Sequence, residues 1–138
     1  MTRKPYVTSI PIKGGEVMSS KVIVNLATGM EDPERVMIAF LVGQAAAAKG
    51  KQVTMFLTKD AVHLAVPGHA HGEACDGCPP IERLFAQYAE AGGELLVCPI
   101  CVKSRGLESA KFVTNATVAG ATPLWEWIGD EAATVFSY

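Results

Sequence analysis

Two short apolar runs on either side of a helix-patterned stretch constrain the fold more than any other feature of the sequence. The first run is Lys21 to Leu26, with three consecutive β-branched residues, and the second is Gln52 to Leu57. Between them, Asp32 can cap a helix that has Pro33 at its first position, and Gly50 supplies the stop. Continuous apolar strands are typical of a parallel sheet covered on both faces. The order strand, helix, strand therefore predicts a βαβ unit with a right-handed crossover.

Later segments continue this alternation and predict an α/β protein. We expect one domain over residues 21–138, with a flavodoxin-like open parallel sheet of four to five strands and helices on both faces. Residues 1–20 are predicted to be an N-terminal arm, because prolines and glycines interrupt them. Residues 112–118 fit either a strand or a loop. The further predicted elements are a short helix over 60–66, a helix over 81–91, a strand over 95–97, a helix over 120–128 and a strand over 132–138.

Composition and charge exclude several classes of partner. Of the 138 residues, 49% are hydrophobic, and the 12 basic and 14 acidic residues give a formal charge of −2. No block of like charge indicates a nucleic-acid or membrane-surface partner. The longest apolar run, residues 36–48, is too short to span a bilayer, and residues 1–20 lack the apolar core of a signal peptide. These observations predict a cytoplasmic protein, in which four cysteines are expected to be reactive or metal-binding rather than disulfide-bonded.

The strongest candidate site begins where a predicted strand gives way to a predicted helix. Cys98 directly follows the strand, and Pro99 is favoured at the first position of a helix, so Cys98 falls on the N-cap. Free amides and the helix dipole favour a thiolate at that position. Lys103 and Arg105 add positive charge nearby. The sequence thus predicts that Cys98 is a nucleophile.

The sheet topology predicts which other segments lie near Cys98. In an open parallel sheet, ligands bind beyond the carboxyl ends of the strands. Residues 25–29 follow the first strand and residues 58–60 follow the second. Both loops are therefore expected to form walls of a pocket at the thiol. Asp60 is interpreted as a turn residue of the second loop.

The cysteines also support three other interpretations. Cys101 could be a small core residue, or it could pair with Cys98 in a C-x-x-C motif, which would make the chain a dithiol oxidoreductase. Two C-x-x-C pairs separated by nineteen residues also match the spacing of a tetrahedral zinc site, and His69 and His71 could add nitrogen ligands. Such a zinc would occupy every thiolate, so the chain would be a non-catalytic zinc-binding subunit. Its ligands would be Cys75, Cys78, Cys98 and Cys101.

Four segments between residues 21 and 138 resemble a known family. They are TGMEDPERV after the first strand, KGKQVTMFLTKDAV across the second, GGELLVCPICVKSRGL around the thiol, and TVAGATPLWEWI before the last strand. Together they resemble the DsrE/DsrF/TusD-like sulfur-relay family of small α/β proteins. In family members with an active cysteine, that cysteine ends a strand and precedes an arginine-glycine pair. Cys98 precedes Arg105-Gly106 in the same way.

The resemblance implies a function for the thiol. Cys98 would accept sulfane sulfur as a persulfide, Lys103 and Arg105 would stabilise the anionic sulfur, and Cys101 would be a resolving thiol. No cofactor is implied. The expected partners are sulfur donor and acceptor proteins, together with further copies of the chain in a homotrimer or homohexamer. Trp125 and Trp127 could serve that interface, although core packing is the expected role of both.

Overall fold

Five parallel strands form the centre of the fold. The structure is a computed structural model that describes residues 20–138, so the predicted N-terminal arm lies outside the described residues. A 3₁₀ helix, Lys59–Ala65, follows the second strand. The strands and α-helices are β1 (Lys21–Leu26), α1 (Pro33–Ala48), β2 (Gln52–Leu57), α2 (Ile81–Glu90), β3 (Glu94–Val97), α3 (Pro99–Ser104), β4 (Ala116–Val118), α4 (Ala121–Ile128) and β5 (Ala133–Ser137).

The sheet order is β4-β3-β2-β1-β5, and every neighbouring pair is parallel. The predicted α/β class with an open parallel sheet is confirmed. The order differs from the 2-1-3-4-5 order of flavodoxin, because the first four strands are added in one direction and β5 returns to the far side of β1. A right-handed connection that reverses direction places its helix on the other face of the sheet. By this rule, the β4–β5 connection that carries α4 belongs on the face opposite α1 and α2.

The helix predicted between the first two strands has the expected cap and buried face. The Asp32 carboxylate accepts a hydrogen bond from the Arg35 backbone amide at 3.2 Å, and Pro33 is the first helical residue. Val36 and Phe40 are fully buried on the helix face that meets the sheet and α2. Burial of this apolar face, rather than helix propensity alone, fixes α1 against β1 and β2.

Tyr88 joins the two large helices to the start of β3. Its ring is fully buried and meets the ring of Phe40 edge to face, with centroids 5.7 Å apart. Its hydroxyl donates a 2.6 Å hydrogen bond to the Glu94 carbonyl oxygen, and burial raises the pKa of this phenol. The aromatic contact and the hydroxyl contact together position the strand that leads to Cys98.

The sequence did not define the type and bounds of two segments, which the structure shows. The predicted helix over residues 60–66 is the 3₁₀ helix Lys59–Ala65, and it ends because Val66, which precedes Pro67, is extended. The ambiguous segment 112–118 contains only the three-residue strand β4, which forms one edge of the sheet. Between residues 20 and 138, no helix has the length and apolarity needed to cross a membrane.

Thr54 in β2 provides a test of core packing. Its side chain is fully buried, and its hydroxyl has no hydrogen-bond partner among the described residues. Because an unpaired buried hydroxyl is destabilising, we expect Thr54→Val to raise the free energy of unfolding by about 1 kcal/mol. Urea denaturation measures the change. Thr54→Ser, which keeps the hydroxyl and loses a methyl group, should lower the same free energy; a valine variant less stable than the native protein would contradict this account.

Candidate functional site

Cys98 lies at the junction of β3 and α3, on the carboxyl edge of the sheet. It occupies the N-cap of α3, its thiol is half-buried and free, and its side chain makes no capping hydrogen bond. The backbone on both sides is fixed: the Cys98 amide donates to the Leu57 carbonyl, and the Cys98 carbonyl accepts from the Val102 amide, both at 3.0 Å. The thiol is therefore held in place by main-chain contacts that leave the sulfur available.

The loops predicted to flank the thiol do lie at the same edge. β1 and β2 are in parallel register to their last residues, and the Thr58 amide continues the ladder by donating to the Leu26 carbonyl at 3.0 Å. The Cys98 amide extends the same ladder to β3 by donating to the Leu57 carbonyl. The carboxyl ends of three adjacent strands thus lie side by side, as the sheet topology predicts.

Cys101 receives a hydrogen bond that the sequence does not reveal. The Lys59 backbone amide donates to the Cys101 sulfur at 3.1 Å. Lys59 has a φ of 52°, and no other non-glycine residue between 20 and 138 has a positive φ. This left-handed conformation costs about 1–2 kcal/mol. A donor directed at sulfur stabilises a charged sulfur more than a neutral one. Cys101 is therefore half-buried against the core cluster and has an oriented donor at its sulfur.

Arg105 is oriented by an acidic partner in the 3₁₀ helix that follows β2. Its Nε donates to the Asp60 carboxylate at 2.9 Å, and its Nη1 donates to the Ser104 hydroxyl at 3.1 Å and to the Cys101 carbonyl at 3.4 Å. The Arg105 hydrogen bond holds the pKa of the Asp60 carboxyl below its ordinary value. Asp60 is thus the anchor of Arg105, a role beyond the predicted turn residue. Lys103, in the last turn of α3, is exposed.

The Asp60–Arg105 pair makes stability depend on pH. Because the folded-state pKa of Asp60 lies below its unfolded value, the pair contributes stability above about pH 4 and loses it as the pH falls through the folded-state pKa. We expect Asp60→Asn to be slightly less stable than the native protein at pH 7 and equally stable near pH 2. Urea unfolding of both proteins across this range measures the difference. Asp130→Asn is the control, and a difference that persists at low pH would contradict this origin.

Cys75 and Cys78 are joined in a disulfide, whereas Cys98 and Cys101 are free thiols. The expectation that no cysteines are disulfide-bonded is therefore wrong for the first pair. These two residues terminate a tight turn, with Cα atoms 5.1 Å apart, which is ordinary disulfide spacing. The predicted four-cysteine zinc site requires all four sulfurs at one point. In the described part of the chain, no group of three or more His, Cys, Asp or Glu side chains could hold a metal ion.

The histidines cluster with one another rather than with the cysteines. The rings of His63 and His69 are stacked with centroids 5.3 Å apart. Burial, together with the neighbouring rings of His63 and His71, lowers the pKa of His69. His71 contacts the carbonyls of Gly68 and His69. The stacked rings thus join the 3₁₀ helix that carries His63 to the loop before the disulfide.

A five-stranded parallel sheet with a free thiol on its carboxyl edge defines a class of small thiol-bearing α/β proteins. Within this class, the sequence model of the DsrE/DsrF-like family matches residues 20–137, and the chain belongs to that family. The resemblance seen in the sequence is confirmed.

Individual proteins are similar to this chain in sequence or in fold. The chain is 29% identical over 103 residues to the uncharacterized protein MK0008 of Methanopyrus kandleri, covering 75% of this chain and 82% of that protein. Its fold resembles the crystal structure of the ychN protein from E. coli, with a TM-score of 0.65, 17% identity, and coverage of 88% of this chain and all of the other. It also resembles BT1422, a conserved protein of unknown function from Bacteroides thetaiotaomicron, with a TM-score of 0.60, 18% identity, and coverage of 89% and 100%.

Proposed function

We propose that this chain is a cytoplasmic sulfur carrier that accepts sulfane sulfur as a persulfide on Cys98 and passes it to an acceptor thiol. The observation that carries the proposal is the position of Cys98, a free and half-buried thiol on the carboxyl edge of the sheet. Membership of the DsrE/DsrF-like family supports it, because sulfur relay is the activity that the family resemblance implies. Cys98 also stands at the end of a strand and precedes Arg105-Gly106, as the resemblance implies for family members with an active cysteine.

The transfer needs only thiolate chemistry. The Cys98 thiolate attacks the terminal sulfur of a donor persulfide, a new S–S bond forms, and the donor leaves as a thiolate. An acceptor thiolate then attacks the terminal sulfur on Cys98. That second attack breaks the Cys98 persulfide bond and restores the Cys98 thiolate. No external oxidant or reductant is consumed, because the sulfane sulfur moves from one thiolate to another.

The surrounding residues have distinct roles in this proposal. Lys103 adds positive charge near the anionic sulfur. Arg105 adds further charge and, held by Asp60, fixes the loop after β2 against α3. Cys101 is the resolving thiol for a persulfide that meets no acceptor: its thiolate attacks the inner sulfur of the Cys98 persulfide, forms a Cys98–Cys101 disulfide and releases hydrosulfide. Unlike the transfer itself, this branch consumes a reductant, because an external dithiol must then reduce the disulfide. The Lys59 amide supports this role, because it already donates to the Cys101 sulfur.

The proposed partners are sulfur donor and acceptor proteins and further copies of this chain, in a trimer or hexamer. Exposed apolar side chains on β5 and α4 support self-association. The Trp125 side chain is 70% exposed, so the predicted core role is wrong for this residue. Trp127 is half-buried with the Lys21 ammonium group 5.1 Å from its ring centroid. Val135 and Phe136 are exposed on the edge strand β5.

The direct test locates the transferred sulfur. The reduced protein is incubated with a low-molecular-weight persulfide, its remaining thiols are alkylated, and the digested peptides are mapped by mass spectrometry. We expect one additional sulfur on the peptide that contains Cys98. No adduct, or an adduct confined to Cys75 or Cys78, would refute the proposal.

Metal analysis separates the sulfur carrier from the zinc-binding alternative. Protein purified under reducing conditions without chelator is analysed for bound zinc. Stoichiometric zinc that is lost in both Cys75→Ser and Cys98→Ser would establish a shared site and exclude a free Cys98 nucleophile. The sulfur carrier predicts no such zinc.

A further inference from the structure

The disulfide between Cys75 and Cys78 lies across a tight turn that also has a backbone hydrogen bond of its own. The Cys78 amide donates to the Cys75 carbonyl at 3.1 Å, and Gly77 has a φ of 81°. Asp76 does not share this left-handed conformation, so the four residues form a type II turn with glycine at the position that requires positive φ. The backbone alone therefore holds the two sulfur-bearing residues opposite each other.

Further contacts close the base of the same loop. Glu73 and Pro80 form an antiparallel bridge. The Ile81 amide donates to the Gly72 carbonyl, and the Gly72 amide donates to the Glu82 carboxylate, both at 2.8 Å. A disulfide stabilises least when it closes a short loop, and this one spans a sequence separation of three residues that the backbone already constrains. The bond is therefore redundant as a structural cross-link, while the turn keeps reduced thiols in position to form it again.

The two cysteine residues differ in exposure. Cys75 is exposed and Cys78 is half-buried. Thiol–disulfide exchange begins when an external thiolate reaches one sulfur of the bond, and the other sulfur leaves. Cys75 is thus the sulfur open to a partner, and Cys78 is the leaving and resolving thiol.

We infer that Cys75 and Cys78 form a second redox site, a dithiol–disulfide couple that exchanges electrons with an external dithiol. A thiolate of the external dithiol attacks Cys75, the Cys75–Cys78 bond breaks, and Cys78 leaves as a thiolate that takes up a proton. The second thiol of the partner then gives up its proton and attacks its own sulfur in the mixed disulfide. Cys75 is released as a thiol, and the partner becomes a cyclic disulfide. Two electrons and two protons pass to this protein. The inference is independent of the proposed function, because neither Cys98 nor Cys101 takes part.

The test uses the full chain with the other two thiols removed. The double variant Cys98→Ser, Cys101→Ser is equilibrated with mixtures of reduced and oxidised dithiothreitol, quenched with an alkylating reagent and weighed intact. We expect one reversible transition in which two alkyl groups appear together, with the protein folded and at constant oligomeric size on both sides. Failure of the folded protein to exchange, or pairing only between chains, would overturn the inference.

Two variants of the turn test its geometric basis. Alanine is strained at positive φ, so Gly77→Ala in the same background should shift the equilibrium toward the dithiol by about fivefold. Gly68→Ala is the matched control: Gly68 has a φ of 83° in the same loop but outside the turn, and its substitution should leave the equilibrium unchanged. Equal shifts in the two variants would show that the turn does not organise the couple.

Single-thiol variants test which sulfur meets the partner. In the background without Cys98 and Cys101, Cys78→Ser leaves only the exposed Cys75, and Cys75→Ser leaves only the half-buried Cys78. We expect a disulfide reagent to form its mixed disulfide with Cys75 at least several-fold faster. A faster reaction at Cys78 would overturn the assigned direction of attack. Zinc bound stoichiometrically by the reduced pair would overturn the redox assignment.

Discussion

Replacing Cys98 by serine is expected to abolish the sulfur adduct that a persulfide donor leaves on the protein. The hydroxyl of serine is not ionised near neutral pH, so the yield should fall by about two orders of magnitude or more. The substitution is nearly isosteric at a half-buried position whose backbone contacts do not involve the sulfur. Intact mass measurement after donor treatment gives the yield, and urea denaturation verifies that the fold is retained.

Cys101→Ser is the matched control for this loss. It removes a half-buried thiol from the same short helix but leaves the proposed sulfur-accepting residue in place. We expect the adduct on Cys98 to form and to persist longer than in the native protein, because no resolving thiol can displace it as hydrosulfide. An adduct retained in Cys98→Ser and lost in Cys101→Ser would show that Cys101, and not Cys98, is the sulfur carrier.

Gly93→Ala is expected to be the most damaging single substitution in the core. A Cβ atom at this position would lie 2.3 to 2.5 Å from three atoms of the Tyr88 ring. The ring cannot retreat, because it is fully buried against Phe40 and its hydroxyl is bonded to the Glu94 carbonyl. Overpacking on this scale should lower the free energy of unfolding by about 3 kcal/mol, measured by urea denaturation.

Gly120→Ala shows whether this loss comes from the clash or from glycine replacement in general. A Cβ atom at Gly120 would lie 3.6 Å from its nearest neighbour, the Cδ atom of Pro99, which is ordinary contact. Because Gly120 is the N-cap of α4, its substitution should cost less than about 1 kcal/mol. Similar decreases in the free energy of unfolding of the two variants would mean that the Tyr88 ring moves to make room for the added methyl group.

The parts of the fold that the sequence predicts are those with local signals. Asp32 and Pro33 mark the start of α1, and the continuous apolar runs mark β1 and β2, so the βαβ unit follows from neighbouring residues alone. β4 lacks such a signal, because it has three residues, is partly exposed, and lies at the sheet edge with one partner strand. The order of the strands in the sheet also has no local sequence signal, since nothing in the sequence of β5 indicates that it pairs with β1.

The features of the candidate site also divide into those with a local sequence signal and those without one. Pro99 places Cys98 on a helix cap, and this depends only on adjacent residues. The contacts of Lys59 with Cys101 and of Asp60 with Arg105 join residues 42 and 45 positions apart, so no sequence pattern reveals them. For the Cys75–Cys78 pair a local signal does exist: a glycine at the third position of C-x-G-C is a turn signal.

The hydrogen bond between Lys59 and Cys101 joins the start of the 3₁₀ helix to α3 at the carboxyl edge of the sheet. The donor is a main-chain amide, so it is present with any residue except proline at position 59, and its proton resonance can be followed in solution. Charge, oxidation or added sulfur at Cys101 alters the acceptor of that bond. The Lys59 amide is therefore a built-in spectroscopic reporter, which registers the chemical state of the second thiol without a label on either cysteine.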